Sequence, residues 1–304
     1  MSPALIELSS ALADLTARTA STVVAVHTDS RGSSSGVIWR PGVIVTAEHT
    51  LRRDEEIQVT LPDGRAVLAS LVGRDSSTDL AVLKSPEANT ALPDLGEATT
   101  LRPGSLIMVV GRTRVSGPIA ALGIVSLVAA ERRTWTGASL APYIRLDVNL
   151  QHTAIGGAAT SADGKTFGIV TPRFGRFGCV VIPAVVVNHV VGTLLEKGRI
   201  PQGYLGVGLQ PVRLPEALRQ TLQRNEKTAA MVLEVAPDGP ADKAGVVIGD
   251  IFVAFAGQPV TRLEDVHAQL GADAIGKPVL LRFVRGGVVQ DASIVVGERP
   301  PGGH

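Results

Sequence analysis

The sequence is poor in cysteine, in aromatic side chains and in net charge. Its one cysteine, Cys179, excludes a disulfide within the chain, and its place in an apolar run indicates a buried side chain. Phe, Trp and Tyr make up only 3% of the residues. The 29 Lys and Arg residues against 28 Asp and Glu leave a net charge of +1. This balance gives no electrostatic reason to expect nucleic acid or an anionic membrane as a partner.

Long apolar runs are also missing, and none approaches the roughly 18 residues needed to cross a bilayer. We therefore predict no membrane span. The first residues, Met1-Ser2-Pro3, begin neither the basic segment nor the apolar core of a signal peptide. We expect a cytoplasmic location if the chain is complete, and a periplasmic one if it has been shortened at its N-terminus.

What the sequence does contain predicts a folded, mostly β protein. The 304 residues are 45% apolar, enough for a large core, and 33 Gly and 19 Pro punctuate many short Val-rich runs. Strands at this spacing favour a closed barrel or a sandwich. Helical periodicity occurs at 3–19 and at 183–197. We predict an N-terminal helix or arm (1–20), a first domain (21–199), a linker, and a second domain (203–298) of five strands and two short helices, 240–244 and 263–270.

Three segments of the first domain resemble the catalytic segments of chymotrypsin-like serine proteases. Val45-Thr46-Ala47-Glu48-His49 resembles the segment of the catalytic base, which falls on His49. The run from Asp75 to Lys84 resembles the segment of the orienting aspartate, which falls on Asp79. Leu146-Asp147-Val148-Asn149-Leu150, followed by Gly156-Gly157, resembles the approach to the nucleophile. The order of base, aspartate and nucleophile is that of this fold, so the resemblance implies a double β-barrel.

The second domain resembles the PDZ domain of HtrA-type (DegP/DegS-like) proteases. Gly203-Tyr204-Leu205-Gly206-Val207 is similar to the carboxylate-binding loop of that domain. Pro240-Ala241-Asp242-Lys243-Ala244-Gly245, followed by Gly249-Asp250-Ile251, is similar to its second signature. The resemblance implies a mostly β fold in which a chymotrypsin-like double β-barrel is followed by a PDZ domain.

One position departs decisively from the family. The residue before the Gly pair, where the resemblance places the nucleophilic serine, is Ile155, which has no group that can attack a carbonyl. In the oxyanion loop, formed by Thr153, Ala154, Ile155 and Gly156, a threonine also replaces the usual glycine at Thr153. Loss of the nucleophile typically costs about a million-fold in turnover. We therefore interpret the first domain as a pseudoprotease.

Two alternatives remain open for this site. An unrecognised nucleophile, with Thr153 and Ser161 as the nearest hydroxyls, would make the chain an active serine-type endopeptidase of protein quality control. A zinc site built from His49, His152 and Asp79 is chemically conceivable, although the histidines lack the spacing of a ligand motif. We expect no metal and no cofactor.

The resemblance assigns peptide binding to the second domain. A PDZ domain binds a C-terminal peptide as an added strand, and the implied groove residues are Tyr204, Leu205, Gly206, Val207, Leu263, Val266 and Leu270. By pattern alone the apolar members are equally core residues. We expect an adaptor, chaperone-like or regulatory protein that binds peptide C-termini or unfolded proteins. By resemblance only, it forms a homotrimer through the N-terminal helix, or a hetero-oligomer with an active homologue.

Overall fold

The computed structural model describes residues 3–27, 32–51, 57–134, 139–175 and 178–300. Contacts divide the chain into two compact units, the first ending at Ile200 and the second beginning at Pro201. Arg133 and Thr134 group with the second unit. None of the helices in the described ranges is long and apolar enough to span a membrane.

The first unit begins with helix α1 (Pro3–Ala20) and a closed six-stranded barrel. All neighbours in the barrel are antiparallel, and the order around it is β1-β2-β3-β6-β5-β4. A hairpin at Pro41-Gly42 joins β2 to β3, where the φ of 72° at Gly42 requires a glycine. The six strands are β1 (Val23–His27), β2 (Ser33–Arg40), β3 (Val43–Ala47), β4 (Ile57–Thr60), β5 (Ala66–Asp75) and β6 (Leu80–Lys84).

A second closed barrel completes the first unit, in the order β11-β14-β13-β12-β7-β8. Its strands, with two short strands between them, are β7 (Leu106–Thr113), β8 (Gly117–Ala129), β9 (Arg132–Arg133), β10 (Ser139–Leu140), β11 (Tyr143–Asp147), β12 (Ala158–Ser161), β13 (Thr166–Thr171) and β14 (Cys179–Pro183). Helix α2 (Ala184–Lys197) follows and ends at Gly198, whose φ is 70°. Short 3₁₀ turns occur at Glu48–Thr50, Ala98–Thr100 and His152–Ala154.

The largest apolar cluster of the first unit joins both barrels to both helices. Leu15 of α1 and Val187 and Leu194 of α2 pack in one cluster with Val45 of the first barrel and Val180 of the second. Because both faces of many strands are covered, these strands are continuously apolar rather than alternating. The candidate site lies at the end of β3, the start of β6 and the end of β13, three strands that this packing holds in place.

The second unit is built around an antiparallel sheet in the order β16-β17-β18-β20-β21, with β19 paired to β18. Strands β15 and β22 pair with each other in a separate two-stranded sheet. Its strands are β15 (Gly203–Tyr204), β16 (Val207–Arg213), β17 (Thr228–Val235), β18 (Ile251–Phe255), β19 (Gln258–Pro259), β20 (Pro278–Arg285), β21 (Val288–Val295) and β22 (Gly297–Glu298). Its helices are α3 (Glu216–Thr221), α4 (Pro240–Lys243) and α5 (Leu263–His267), with a 3₁₀ turn at Ala272–Ala274.

The predicted fold class, a mostly β chain with a double barrel and a PDZ domain, is confirmed. Two local predictions for the second unit need correction. Helix α3 was not predicted; its Leu218 packs on the other face of the sheet against a small cluster that includes Leu214. Helix α5 ends at His267 rather than at residue 270, and its first turn is capped by the Asp265 carboxylate, which accepts the backbone N–H of Arg262 at 2.9 Å.

Candidate functional site

A tight turn between β5 and β6 positions Asp79. The carboxylate of Asp75 accepts hydrogen bonds from the backbone N–H of Ser77 (3.0 Å) and from the hydroxyl of Thr78 (2.6 Å). Such self-bonded turns are favoured by aspartate. Asp79 follows with a φ of 60°, in the left-handed region that aspartate tolerates better than most residues. Its side chain is 0% exposed, so this carboxylate depends on protein partners for its hydrogen bonds.

His49 is the main partner of Asp79. It lies in the 3₁₀ turn that follows β3, and its ring Nδ1–H donates to the carboxylate oxygens of Asp79 at 2.8 and 2.9 Å. Its backbone N–H donates to Asp79 Oδ1 at 3.0 Å. The hydroxyl of Thr171, at the end of β13, donates to the same carboxylate. An imidazole held through Nδ1 by a buried carboxylate has the orientation of a triad base, with the other ring nitrogen left to face a substrate.

Two arginines and a glutamate surround this pair. Arg173 Nη1 lies 3.7 Å from Asp79 Oδ1 and 3.4 Å from Glu48 Oε2. Arg74 Nη1 lies 3.6 Å from Glu48 Oε1 and donates to the carbonyl of Leu51 at 3.0 Å. The sequence did not predict these partners. Thr171 lies 92 residues from Asp79 along the chain, and no local pattern relates residues so far apart.

The loop that should carry a nucleophile packs against the first barrel. Gly156 has a φ of 82°, and a Cβ added to it would lie 2.3 Å from the carbonyl oxygen of Ser35 and 2.9 Å from the backbone nitrogen of Ala47. This glycine is therefore required by close approach as well as by conformation. Because Ala47 precedes the His49 turn, the loop lies beside the segment that holds the imidazole. Ile155, immediately before the glycine, is only 6% exposed.

The backbone groups of this loop are hydrogen-bonded within the protein. The Ile155 N–H donates to the carbonyl of His152 at 3.2 Å, and the Ser35 hydroxyl donates to the carbonyl of Thr153 at 2.6 Å. The Ser35 hydroxyl in turn accepts the backbone N–H of Arg112 at 2.9 Å. In the triad mechanism the N–H of the nucleophile residue is one of the two oxyanion donors. In this structure the Ile155 N–H is already hydrogen-bonded to the His152 carbonyl.

The other candidate nucleophiles and ligands are placed less favourably for attack. Ser161 ends β12, and its hydroxyl donates to the Asp163 carboxylate of its own hairpin. Cys179 is 1% exposed, and burial raises the pKa of its thiol to about 12. The described ranges contain no group of three or more His, Cys, Asp or Glu side chains that could hold a metal ion.

The second unit gathers the predicted groove residues around one end of β16. Gly206 has a φ of 76°, and its carbonyl accepts the Ala236 N–H at 2.8 Å. The Gly203 N–H donates to the carbonyl of Leu270 at 2.9 Å, which ties the loop to the residues after α5. Tyr204, in β15 between them, is half-buried. The turned backbone of this loop is the kind that captures a carboxylate.

The apolar groove residues share a single cluster beneath the loop, and α5 contacts β16. Leu205 and Val266 are 2% and 1% exposed and belong to the floor of this cluster. The residues that are only partly buried, and so reach the surface between β16 and α5, are Val207, Leu263 and Leu270.

Comparison with known proteins identifies both units. Residues 34–169 match the family model of the trypsin-like peptidase domain, and residues 203–296 match that of the PDZ domain. Among solved structures, the chain is similar to the HtrA-type protease AlgW with a tripeptide, at 28% identity and a TM-score of 0.67, covering 95% of this chain and 97% of that one. It is also similar to a serine endoprotease from Yersinia pestis, at 26% identity and a TM-score of 0.67, covering 94% and 98%.

A curated relative from Halomonas elongata, named "Probable periplasmic serine endoprotease DegP-like", is 31% identical over 281 residues. The match covers 90% of this chain but only 58% of the relative, so the chain spans little more than half of that protein's length. Further relatives from Pseudomonas species carry the same name.

These names correct the expected location. The cytoplasmic location predicted from the first residues is contradicted, because relatives that match along most of the chain are named periplasmic. The expectation rested on a few N-terminal residues.

Proposed function

This chain belongs to the HtrA-type family of trypsin-like serine proteases that carry a PDZ domain, and from that premise we propose that its peptidase site is catalytically silent. Its remaining activity is the binding of peptide C-termini or unfolded proteins through the PDZ domain. Such a protein acts as an adaptor, a chaperone-like binder or a regulator.

The observation that supports a catalytically silent site is the isoleucine at position 155. At the nucleophile position an aliphatic side chain, 6% exposed, stands where the mechanism needs an activated hydroxyl. The bond from the Ile155 N–H to the His152 carbonyl supports the same conclusion, since an oxyanion would have to displace it. Losing the nucleophile costs about a million-fold in turnover, and losing one oxyanion donor about a hundred- to a thousand-fold. Both losses fall on one loop.

The competing function is an active endopeptidase with a different nucleophile, and the intact contact between His49 and Asp79 is the observation in its favour. The geometry around the candidate hydroxyls supports it less. The Ser161 hydroxyl is engaged by its own hairpin, and the Thr153 backbone is fixed by Ser35. A buried thiol with a raised pKa, as at Cys179, is a poor nucleophile.

Peptide binding is supported by the edge of the PDZ sheet. Strand β16 lies at the end of the strand order, with α5 alongside it and an apolar wall between them. A C-terminal peptide would add as a further strand on β16, with its carboxylate on the loop from Tyr204 to Val207. Its last side chain would lie against Leu263 and Leu270.

For the compartment and the assembly, we propose the periplasm and a homotrimer, or a mixed oligomer with an active homologue. The helix α1 supports an assembly contact. Its Leu15 is 3% exposed, whereas Leu5 and Leu8 on the same stripe are 67% and 51% exposed. An apolar stripe that begins in the core and continues uncovered is suited to a second copy of the chain.

The experiment that tests this function combines cleavage with binding. The purified chain is incubated with unfolded casein and with a fluorophosphonate probe, and peptides with a free C-terminus are screened by fluorescence anisotropy against their C-terminal amides. We expect no cleavage, no label, and binding that requires the free carboxylate. Cleavage of casein that is abolished by His49→Ala would overturn the silent site. Equal binding of acids and amides would overturn the PDZ assignment.

A further inference from the structure

The free edge of β16 presents alternate residues to a ligand. On the other edge, the Ala236 N–H donates to the Gly206 carbonyl at 2.8 Å, and the Leu214 N–H donates to the Lys227 carbonyl at 2.9 Å. Antiparallel ladders alternate between residues that bond to the partner and residues that face away. The register shift between Gly208 and Leu209 comes from an extra residue in β17, so the alternation within β16 is unbroken. The outward residues are therefore Val207, Leu209, Pro211 and Arg213.

One of these outward residues cannot take part in a full pair. Val207 and Leu209 each offer an N–H and a carbonyl to an added strand, but Pro211 offers a carbonyl only. A ligand whose carboxylate lies on the loop at Gly206 places its last residue opposite Val207, its third-last opposite Leu209 and its fifth-last opposite Pro211. The ring Cδ of Pro211 stands where an N–H would point. The ligand carbonyl at that position has no donor and is held away from the strand.

The side chains along β16 change at the same point. Val207 and Leu209 are partly buried and pack against the apolar cluster beneath the groove. Pro211 and Arg213 are exposed. The apolar wall on the strand side thus ends at Leu209, two residues before Pro211, where the edge has no third N–H donor.

We propose that Pro211 limits recognition to the last four residues of a C-terminal peptide. The ligand class is an extended peptide end with a free carboxylate, in which residues further from the end cannot complete a main-chain pair with β16, because Pro211 supplies an acceptor but no donor. This inference rests on the proposed function of the PDZ domain and adds the length of ligand that is recognised.

The test is a length series on the full chain. Acetylated peptides of three to eight residues, all ending in Val-Ala-Val with a free carboxylate and with alanines before it, are titrated by isothermal calorimetry. In the wild type we expect the affinity to rise up to four residues and to change by less than about twofold from five to eight. In Pro211→Ala the acetylated three-residue peptide, which has no carbonyl opposite residue 211, should bind as before. Peptides of five or more residues should bind about fivefold more tightly, the effect of one added hydrogen bond.

A matched control is Pro215→Ala, which removes a proline just before α3, outside the edge strand. It should leave the whole length series unchanged. A steady gain in affinity up to eight residues in the wild type would overturn the inference alone, as would a Pro211→Ala variant that melts normally and shows the wild-type series. No carboxylate-dependent binding at any length would reject the proposed function and the inference with it.

Discussion

The nucleophile loop allows the silent site to be tested by rebuilding it in two steps. Ile155→Ser supplies the missing hydroxyl but leaves the N–H of residue 155 bonded to the His152 carbonyl at 3.2 Å. Adding Thr153→Gly lets the peptide between residues 152 and 153 rotate, because glycine reaches positive φ without strain. We therefore expect the double variant to be far more active than the single one.

The expected magnitudes follow from what each change restores. The hydroxyl is worth about a million-fold in turnover when the rest of the triad is assembled. One oxyanion donor is worth about a hundred- to a thousand-fold. Ile155→Ser alone should thus give detectable cleavage that lies about two to three orders of magnitude below that of the double variant. Because Ile155 is 6% exposed, its truncation also costs about 2–5 kcal/mol of stability, so thermal unfolding must be followed in parallel.

The assay is kcat/KM on a quenched casein substrate, with fluorophosphonate labelling as a count of activated serines. His49→Ala in each background is the control and should abolish both signals, since the imidazole activates the hydroxyl. Equal activity of the single and double variants would refute the idea that the loop carbonyl blocks the oxyanion site. Two folded but inactive variants would show that His49 and Asp79 no longer support chemistry.

The remaining predictions concern a buried carboxylate, a buried thiol and an exposed helix face. Asp79→Asn should lower the free energy of unfolding in urea by about 3 kcal/mol, because it breaks a buried charged network. Asp63→Asn alters an exposed ion pair and should leave the urea midpoint unchanged. Similar effects of both variants would contradict a stabilising role for the buried network. Burial raises the pKa of Cys179 to about 12, so about one thiol in ten thousand is ionised at pH 8. Iodoacetamide should therefore label Cys179 only after unfolding. Rapid labelling of the folded chain would disprove the burial of this thiol. Leu5→Ser with Leu8→Ser should reduce the oligomer mass measured by light scattering, and an unchanged mass would exclude α1 as the contact.

The sequence predicted the fold well because its strongest signals are local. Short Val-rich runs between Gly and Pro turns became the strands of two barrels. Helix α3 escaped prediction because it has only six residues, too few for helical periodicity to show. The C-terminal end of α5 was overestimated because Leu270, at helical spacing, packs from the turn that follows the helix.

The candidate site was only half predictable. His49 and Asp79 stand in short segments with recognisable neighbours, and their contact follows from the barrel that joins β3 to β6. Thr171 of β13, Ser35 of β2 and Arg173, just after β13, reach the site through hydrogen bonds and ion pairs. Such contacts depend on how two barrels pack, which no periodicity or spacing reports. The internal bond of the Ile155 N–H is likewise a property of loop conformation.

The geometry of the acid–base pair is a poor measure of whether this site works. Asp79 is held by the ring and backbone of His49, by the Thr171 hydroxyl and by the nearby guanidinium of Arg173, and none of these contacts involves residue 155. Replacing a serine at that position would release none of them. A buried carboxylate that lost its partners would carry a large desolvation penalty, which opposes the loss of the pair whether or not it is used in catalysis. Activity therefore has to be judged at residue 155, where the covalent bond would form.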